Sequence, residues 1–361
     1  MIRVVMVGPD PAAGQGGMAT VAATLLRHGT EHVDLRAVAM HADGSVARRL
    51  RAWATGSLRV VGLLATRRVD VLHVHVSERG SVLRKGLIVV ATTIARVPVL
   101  LHCHGARFFD WYETLPAPAR HAIAWMFRRA NLVVTLGEPS RARYVELLRL
   151  DPARVVVAPN AITLPDAVPD RGGHITIGLL FLGRFGDRKG SADLLAAVVE
   201  LPQDVQEIIT LRMAGDGEVD ETRTLAEELG VRAEISGWLT PEQRDEALRA
   251  AQIFVLPSRQ EELPMAMLEA MGWGLAPIVT PVGSIPEVIS DERNGLLVRP
   301  GEIAELSKAI HRAVTDDDLR IRLADAARST AERFDAVEYT AAMARRWVSL
   351  VPHRSRSGAA G

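Results

Sequence analysis

The sequence predicts an α/β protein of two doubly wound domains, and three observations carry that expectation. The chain has 361 residues, more than one ordinary hydrophobic core organises, so two domains are expected. Short apolar runs alternate with helix-forming stretches, the rhythm of parallel strands joined by crossover helices. That rhythm stops at "TLPDAVPDRGGH", residues 163–174, polar and rich in Pro and Gly, and then restarts. The boundaries that follow are 1–165 for a first Rossmann-like domain and 166–335 for a second. Residues 336–350 read as a helix packing back toward the first domain, and 351–361 as a disordered tail.

Taken in order, "IRVVMVG" is a short apolar strand and "GQGGMATVAATLLRHG" a glycine-rich turn entering a helix. "VDVLHVHVS" and "VPVLLHCHG" are strands on either side of the helix "GSVLRKGLIVVATTIA". The helix "APARHAIAWMFRRA" leads to the strands "NLVVTLG" and "ARVVVAPNAI". After the break, "ITIGLLFLG", "QEIITLRMAG", "RAEISGW" and "IFVLPS" are strands separated by the helices "SADLLAAVVEL", "VDETRTLAEELG" and "PEQRDEALRAA". "PMAMLEAMGWG" is a helix, "APIVT" and "NGLLVRP" complete the sheet, and helices over 302–314 and 336–350 end the chain. Two such domains facing each other place a cleft at the carboxyl ends of their strands, where a ligand belongs.

Composition narrows the class. Hydrophobic content of 48% with 24% charged residues is that of a soluble globular chain. The single cysteine, Cys103, excludes an intramolecular disulfide and points to a reducing, cytoplasmic setting. The chain reaches a Gly-Pro turn after seven residues, which is not a secretory leader. The longest apolar stretch, residues 86–105, contains Arg96 and Pro98 and reads as helix, break and strand instead of a membrane span. The net charge of zero hides an asymmetry. Residues 1–165 hold 21 Lys and Arg against 11 Asp and Glu, and residues 166–361 hold 22 against 32. The basic half is densest over 48–68, where arginines stand beside Trp53, Leu58, Val60 and Leu63. Such a stretch fits peripheral contact with an anionic membrane surface, or equally a solvated Arg-rich helix. Nothing points to nucleic acid.

Four stretches carry chemistry. Gly14, Gly16 and Gly17 lie between the first strand and helix, where slim backbone lets an anion approach a helix N-terminus. The spacing is not G-x-G-x-x-G, which disfavours a dinucleotide. In "FLGRFGDRKG", Arg184 and Lys189 follow a strand directly and suit a diphosphate, against the alternative of solvated cations paired with Asp187 or Asp193. "HVHVS" and "HCHG" pair His73 with His75 and His102 with His104 on strand faces. No carboxylate or thiolate sits at ligand spacing, so the expectation is no metal, with His104 at the strand's end facing the cleft. Finally, "EELPMAMLE" sets Glu261 in a loop, Pro264 at the first position of a helix and Glu269 in its second turn. The free amides near Met265 and Ala266 lie between the two acids. That series suits a sugar beside a ribose; the plain alternative is acids complementing a helix dipole.

The last stretch resembles the E-x7-E motif of retaining glycosyltransferases of the GT-B fold, glycosyltransferase family 4 (group 1). "FLGRFGDRKG" resembles the family's G-R-x-x-x-x-K-G segment, "MAGDGEV" its G-D-G turn, and residues 255–302 its signature block. "VLLHCHG", "VVVAPNAI" and the glycine-rich first loop resemble its N-terminal domain more loosely. The resemblance implies a retaining hexosyltransferase that uses a nucleotide-diphosphate sugar as donor substrate and needs no cofactor or metal. It implies that Arg184 and Lys189 bind the diphosphate, and that Glu261 holds sugar hydroxyls and Glu269 the ribose. It implies that amides around Leu263, Pro264 and Met265 hold sugar and phosphate oxygens. It implies that His104 contacts the donor sugar, and that Gly16 and Gly17 approach the phosphates. The acceptor would be a sugar, a lipid-linked sugar or a small molecule, in polysaccharide or glycolipid biosynthesis. Relatives of this fold also include nucleotide-sugar epimerases, phosphorylases and non-catalytic sugar-nucleotide binders. Phosphorylase is disfavoured, because no pyridoxal-binding lysine pattern accompanies the second domain. One departure stands out: Glu262 occupies the place where the family carries glycine.

Overall fold

The computed structural model describes residues 1–13, 16–42, 44–173 and 175–351. Gly14 and the tail from residue 352 onward lie outside the described residues. The chain divides into two compact units, Met1–Ala158 together with the stretch from Ala336, and Pro159–Asp335.

The first unit runs β1 (Ile2–Pro9), α1 (Gly17–Arg27), β2 (Val33–His41), α2 (Val46–Ala65), β3 (Val71–Val76) and α3 (Gly80–Ala95). It continues with β4 (Val99–Cys103), α4 (Phe108–Glu113), α5 (Ala117–Arg128), β5 (Leu132–Thr135), α6 (Glu138–Leu148) and β6 (Val155–Val157). Its six strands form one parallel sheet in the order β2-β1-β3-β4-β5-β6. Every residue of β3 and β4 is buried, as expected of central strands covered on both faces. On one face, Val5, Leu72, Val74 and Leu101 pack with residues of α2, α3, α5 and α6 such as Val60, Ile88, Phe127 and Leu148. Their alternate neighbours on the strands include His73, His75 and His102. The histidine face meets the chain's last helix, where Trp347 is fully buried with its ring centroid 5.7 Å from that of His73.

The second unit runs β7 (Ile177–Leu182), α7 (Ser191–Val199), α8 (Gln203–Ile208), β8 (Ile209–Ala214), α9 (Val219–Glu228), β9 (Ala233–Ser236) and α10 (Pro241–Ala250). Then come β10 (Ile253–Leu256), α11 (Met265–Gly272), β11 (Ala276–Val279), β12 (Leu296–Leu297), α12 (Ile303–Thr315) and α13 (Asp317–Ala331). The last helix, α14 (Ala336–Leu350), belongs to the first unit. The second sheet is parallel, in the order β12-β11-β10-β7-β8-β9. Local chemistry sets several starts. Thr240 and Gln243 form a reciprocal capping box ahead of α10, and the Asp316 carboxylate accepts from the Leu319 amide at the start of α13.

Both sheets match the expected architecture, with differences in detail. The strand expected from Gln206 begins only at Ile209, because α8 claims the preceding residues. Strand β2 and helices α4, α6 and α13 are additional to the sequence reading; β2 lies at a sheet edge and its burial alternates only weakly. The Pro- and Gly-rich stretch 163–174 is held to the second unit by the buried Arg171. Its guanidinium donates to the carbonyls of Arg249 (2.8 Å), Leu248 (3.1 Å), Trp273 (2.7 Å) and Ala251.

Candidate active site

In the second unit the strand order reverses between β10 and β7. Loops leaving the carboxyl ends of parallel strands at such a reversal are the natural ligand-binding place of an open α/β sheet. Residues 183–190 follow β7 there, and residues 257–264 follow β10. The two loops are tied together, since the Arg259 amide donates to the Arg188 carbonyl at 2.9 Å. Gly190 makes the approach possible. It has φ +69°, and a Cβ on it would stand 2.3 Å from the Pro257 carbonyl oxygen.

This docking brings Lys189 to Glu261. The Glu261 carboxylate is buried and forms an ion pair with Lys189 Nζ, a second at 3.3 Å with Arg188 Nη1, and accepts from Ser258 Oγ at 3.2 Å. The Arg188 guanidinium also donates to the Gln260 carbonyl (3.2 Å). From the far side, the Ser284 amide donates to the Glu262 carbonyl at 2.8 Å, and Gly283, at φ +58°, has no room for a side chain against the Glu261 carbonyl. Glu262 itself stays out of the left-handed region, so the backbone here does not demand the family's glycine.

Pro264, expected at the first helical position, is instead the N-cap of α11, which starts one residue later at Met265, and the Leu268 amide makes the first helical bond to the Pro264 carbonyl (3.3 Å). The amides of Met265 to Met267 therefore have no partner within the helix. The Leu263 carbonyl accepts from the buried Asn160 side chain at 2.8 Å, which fixes the entry to the helix. Glu269 lies in the second turn and pairs with Arg244 Nη1 at 3.0 Å. Burial pushes the Glu269 carboxyl above its ordinary range, against the pull of Arg244. Burial also works to lower the Arg244 guanidinium, and Glu269 with Asp245 more than reverses it. Arg184 stands apart from this network: it is exposed and pairs with Asp216 of the G-D-G turn at 3.2 Å.

In the first unit, Gly16 caps α1 with φ +86° and nothing within 4 Å of a Cβ, so conformation and not crowding calls for glycine. Gly17 is the first residue of the helix. The four histidines form two hydrogen-bonded imidazole pairs stacked in layers. His73 Nε2 lies 3.2 Å from His102 Nδ1, and His75 Nδ1 lies 3.0 Å from His104 Nε2. Between the layers, the rings of His73 and His75 stack at 4.5 Å and 18°. His73, His75 and His102 are fully enclosed, while His104 is half-buried. Burial lowers His73 to about 3, lowers His104 likewise to about 3 with help from His73 and Lys85, and holds His75 and His102 well below the ordinary value. Nitrogens of His73, His75 and His102 lie within 4.8 Å of one another, close enough to share an ion. A metal sits in the plane of each ring it binds, so nearly parallel stacked rings share one only if a ring swings out of the stack.

The sequence reading pairs Arg184 with Lys189 and His73 with His75, whereas the folded chain pairs His75 with His104 and adds Arg188, Ser258 and Arg244, which the sequence does not single out. Arg188 sits inside the quoted G-R-x-x-x-x-K-G segment, so a clue was present. Arg244 reaches Glu269 from another helix, 25 residues away, and no local pattern announces it.

Comparison with known proteins places these loops in context. Residues 2–161 match the family model "Glycosyl transferase 4-like domain", and residues 176–330 match "Glycosyl transferases group 1". Among curated proteins, the chain is 32% identical over 193 residues to D-inositol 3-phosphate glycosyltransferase of Corynebacterium jeikeium, covering 50% of this chain and 46% of that protein. It is 33% identical over 211 residues to alpha-maltose-1-phosphate synthase of Mycobacterium tuberculosis (52% and 54%). It is 28% identical over 291 residues to 2-deoxystreptamine glucosyltransferase of Streptomyces kanamyceticus (74% of each). The chain thus spans about half the length of the first two relatives. Among solved structures, the Anabaena protein HepE in complex with UDP-glucose superposes with a TM-score of 0.76 at 18% identity, covering 97% of this chain and 100% of that one. Sucrose-phosphate synthase from Thermosynechococcus elongatus gives 0.76 at 19% identity (97% and 99%).

Proposed function

Because the chain belongs to the group 1 glycosyltransferases of the GT-B fold, we propose that it moves a hexosyl group from a nucleotide-diphosphate sugar to a hydroxyl acceptor, with retention at the anomeric carbon and without a metal ion. The observation that carries this reading is the buried Glu261 held by Lys189 and Arg188 at the strand reversal of the second sheet. A polyhydroxyl ring needs a fixed carboxylate acceptor, and a departing nucleoside diphosphate needs nearby positive charge as its bond to the sugar breaks. In this reading Glu261 accepts from sugar hydroxyls, and Lys189 and Arg184 meet the diphosphate. Glu269, oriented by Arg244, holds the ribose, and the Leu263–Met265 backbone holds sugar and phosphate oxygens. From the first unit, His104 contacts the sugar, and Gly16 and Gly17 line the approach of the phosphates. The acceptor hydroxyl adds on the face the diphosphate leaves, and its proton passes to the departing phosphate oxygen.

The names of the relatives range over inositol phosphate, maltose phosphate and 2-deoxystreptamine chemistry, so the acceptor class is the widest part of the proposal. We take a sugar, lipid-linked sugar or small molecule, with the basic half of the chain in peripheral contact with an anionic membrane surface. The test is calorimetric binding of UDP- and GDP-sugars with and without EDTA. Binding of one nucleotide series, unchanged by EDTA, supports the reading. Binding that EDTA abolishes overturns metal independence, and binding without donor hydrolysis or transfer to any acceptor favours a sugar-nucleotide binder.

A further inference from the structure

One face of the first sheet is covered by a helical layer in which α2 packs on α3, α3 on α5 and α5 on α6. A layer helix that meets water normally places charged side chains on its free side. Helix α3 does the reverse. Its exposed positions between Ser81 and Ile94 are Leu83, Leu87, Val90 and Ile94, which are 64%, 62%, 36% and 78% exposed. Their spacing of four, three and four residues sets them in one stripe along the helix. The helices that pack on it add exposed apolar side chains, Leu58 on α2, 73% exposed, and Trp125 on α5, whose ring lies under the Arg129 guanidinium at 5.0 Å.

The polar complement of this ridge has one sign. Helices α2, α3 and α5 contain no Asp or Glu, and Arg48, Arg49 and Arg59 stand exposed on α2, the helix that packs on α3. Aliphatic side chains clustered this densely serve no purpose against nucleic acid, which selects basic and aromatic surfaces. A symmetric contact with a second copy of the chain would set arginine-rich helices against each other with no acid between them. An apolar ridge on three helices whose only charged side chains are basic is complementary to a bilayer surface carrying anionic headgroups, where the ridge enters the acyl boundary and the guanidinium groups meet phosphates.

We propose that the exposed face of α2, α3 and α5, centred on Leu83, Leu87, Val90 and Ile94, docks the protein on anionic membrane. This deepens the peripheral contact proposed above and moves its centre from residues 48–68 to α3. The test is co-sedimentation with vesicles of phosphatidylcholine alone and with vesicles of equal parts phosphatidylcholine and phosphatidylglycerol. The wild-type chain is compared with Leu87→Gln/Ile94→Gln and Arg48→Gln/Arg49→Gln. Glutamine is a good helix former and these positions are exposed, so both variants are expected to melt as the wild type does. The wild type is expected to bind the mixed vesicles and not the neutral ones. Each double variant is expected to lower the bound fraction tenfold or more, and about 1 M salt, with a Debye length near 3 Å, to weaken binding further. Absence of binding to mixed vesicles, equal binding to neutral ones, or unchanged binding by both variants overturns the proposal. A lipid-free dimer broken by Leu87→Gln/Ile94→Gln overturns it too and assigns the face to a second copy. Nucleotide-sugar binding measured on the same samples is expected to be unchanged, which separates failure of docking from failure of the donor reading.

Discussion

At the scale of single residues, Lys189 and Glu261 form a buried ion pair and, in the proposed function, share the donor site. Lys189→Ala is expected to lower kcat/KM by about 10²–10³, the cost of losing one preorganised charge at a transition state. It should also destabilise the second unit by about 3 kcal/mol, the low end for breaking a buried ion pair, because Arg188 and Ser258 remain on the carboxylate. Urea unfolding of Lys189→Ala, Glu261→Ala and the double variant checks this, with the double expected to be less destabilised than the sum of the singles. The histidine pairs make a prediction of another kind. A neutral imidazole has one N–H, and the outward nitrogens of His73, His75 and His102 are buried without a partner. A buried N–H without an acceptor is rarely tolerated. In the outer pair that cost vanishes only if His75 donates from Nδ1 to His104 Nε2, which leaves the second proton on Nδ1 of the half-buried His104. Nitrogen-15 NMR of histidine-labelled protein is expected to report the Nδ1–H tautomer at His104. The state should survive in His75→Asn, whose amide can stand in for Nδ1–H, and be lost in His75→Leu.

At the scale of elements, the loops at the strand ends depend on where backbone can come close. Gly190→Ala would force a Cβ into the Pro257 carbonyl at a positive φ, and conformational strain alone costs about 1–3 kcal/mol. The expected outcome is a lower urea midpoint together with a raised KM for the donor, since the clash separates the Lys189 loop from the Glu261 loop. The stretch 163–174 reads from composition as a free linker, yet Arg171 anchors it by donating to four carbonyls. Arg171→Ala should cost about 3 kcal/mol or more, because buried acceptors lose their donors. Arg171→Lys should not restore it, because a single ammonium cannot reproduce the planar fork. Differential scanning of the two variants decides the point. Proline and glycine content is legible in a sequence; the carbonyls that a distant arginine will find are not.

At the scale of the whole molecule, the first unit should be sensitive to acid. His73 and His104 are lowered by burial to about 3 in the folded state against 6.5 unfolded. Between those values the folded state binds fewer protons than the unfolded, so the contribution of these two histidines is full above pH 6.5 and is lost as pH drops toward 3. The slope is at most about 1.4 kcal/mol per pH unit for each group. Lys85, buried and lowered to about 7, acts in the same direction at higher pH, so stability rises again from pH 7 toward 10.5. Urea titrations followed by tryptophan fluorescence should show a lower midpoint at pH 5 than at pH 7.5 and a shallower dependence in His73→Leu. The sequence by itself determined the two parallel α/β sheets, because alternating strand and helix periods and a Pro-Gly break are local properties of the chain. It also marked Lys189, Glu261 and Glu269, whose spacing within short segments is a local property too. Only the tertiary structure decided that Lys189 answers Glu261 while Arg184 answers Asp216, that Arg244 backs Glu269, and that the histidines pair in two stacked layers. It alone showed that the apolar run of α3 leaves its aliphatic stripe uncovered. Those facts depend on which loops and faces the folded chain brings together, and hydrophobic periodicity along a chain carries no record of partners far apart in sequence.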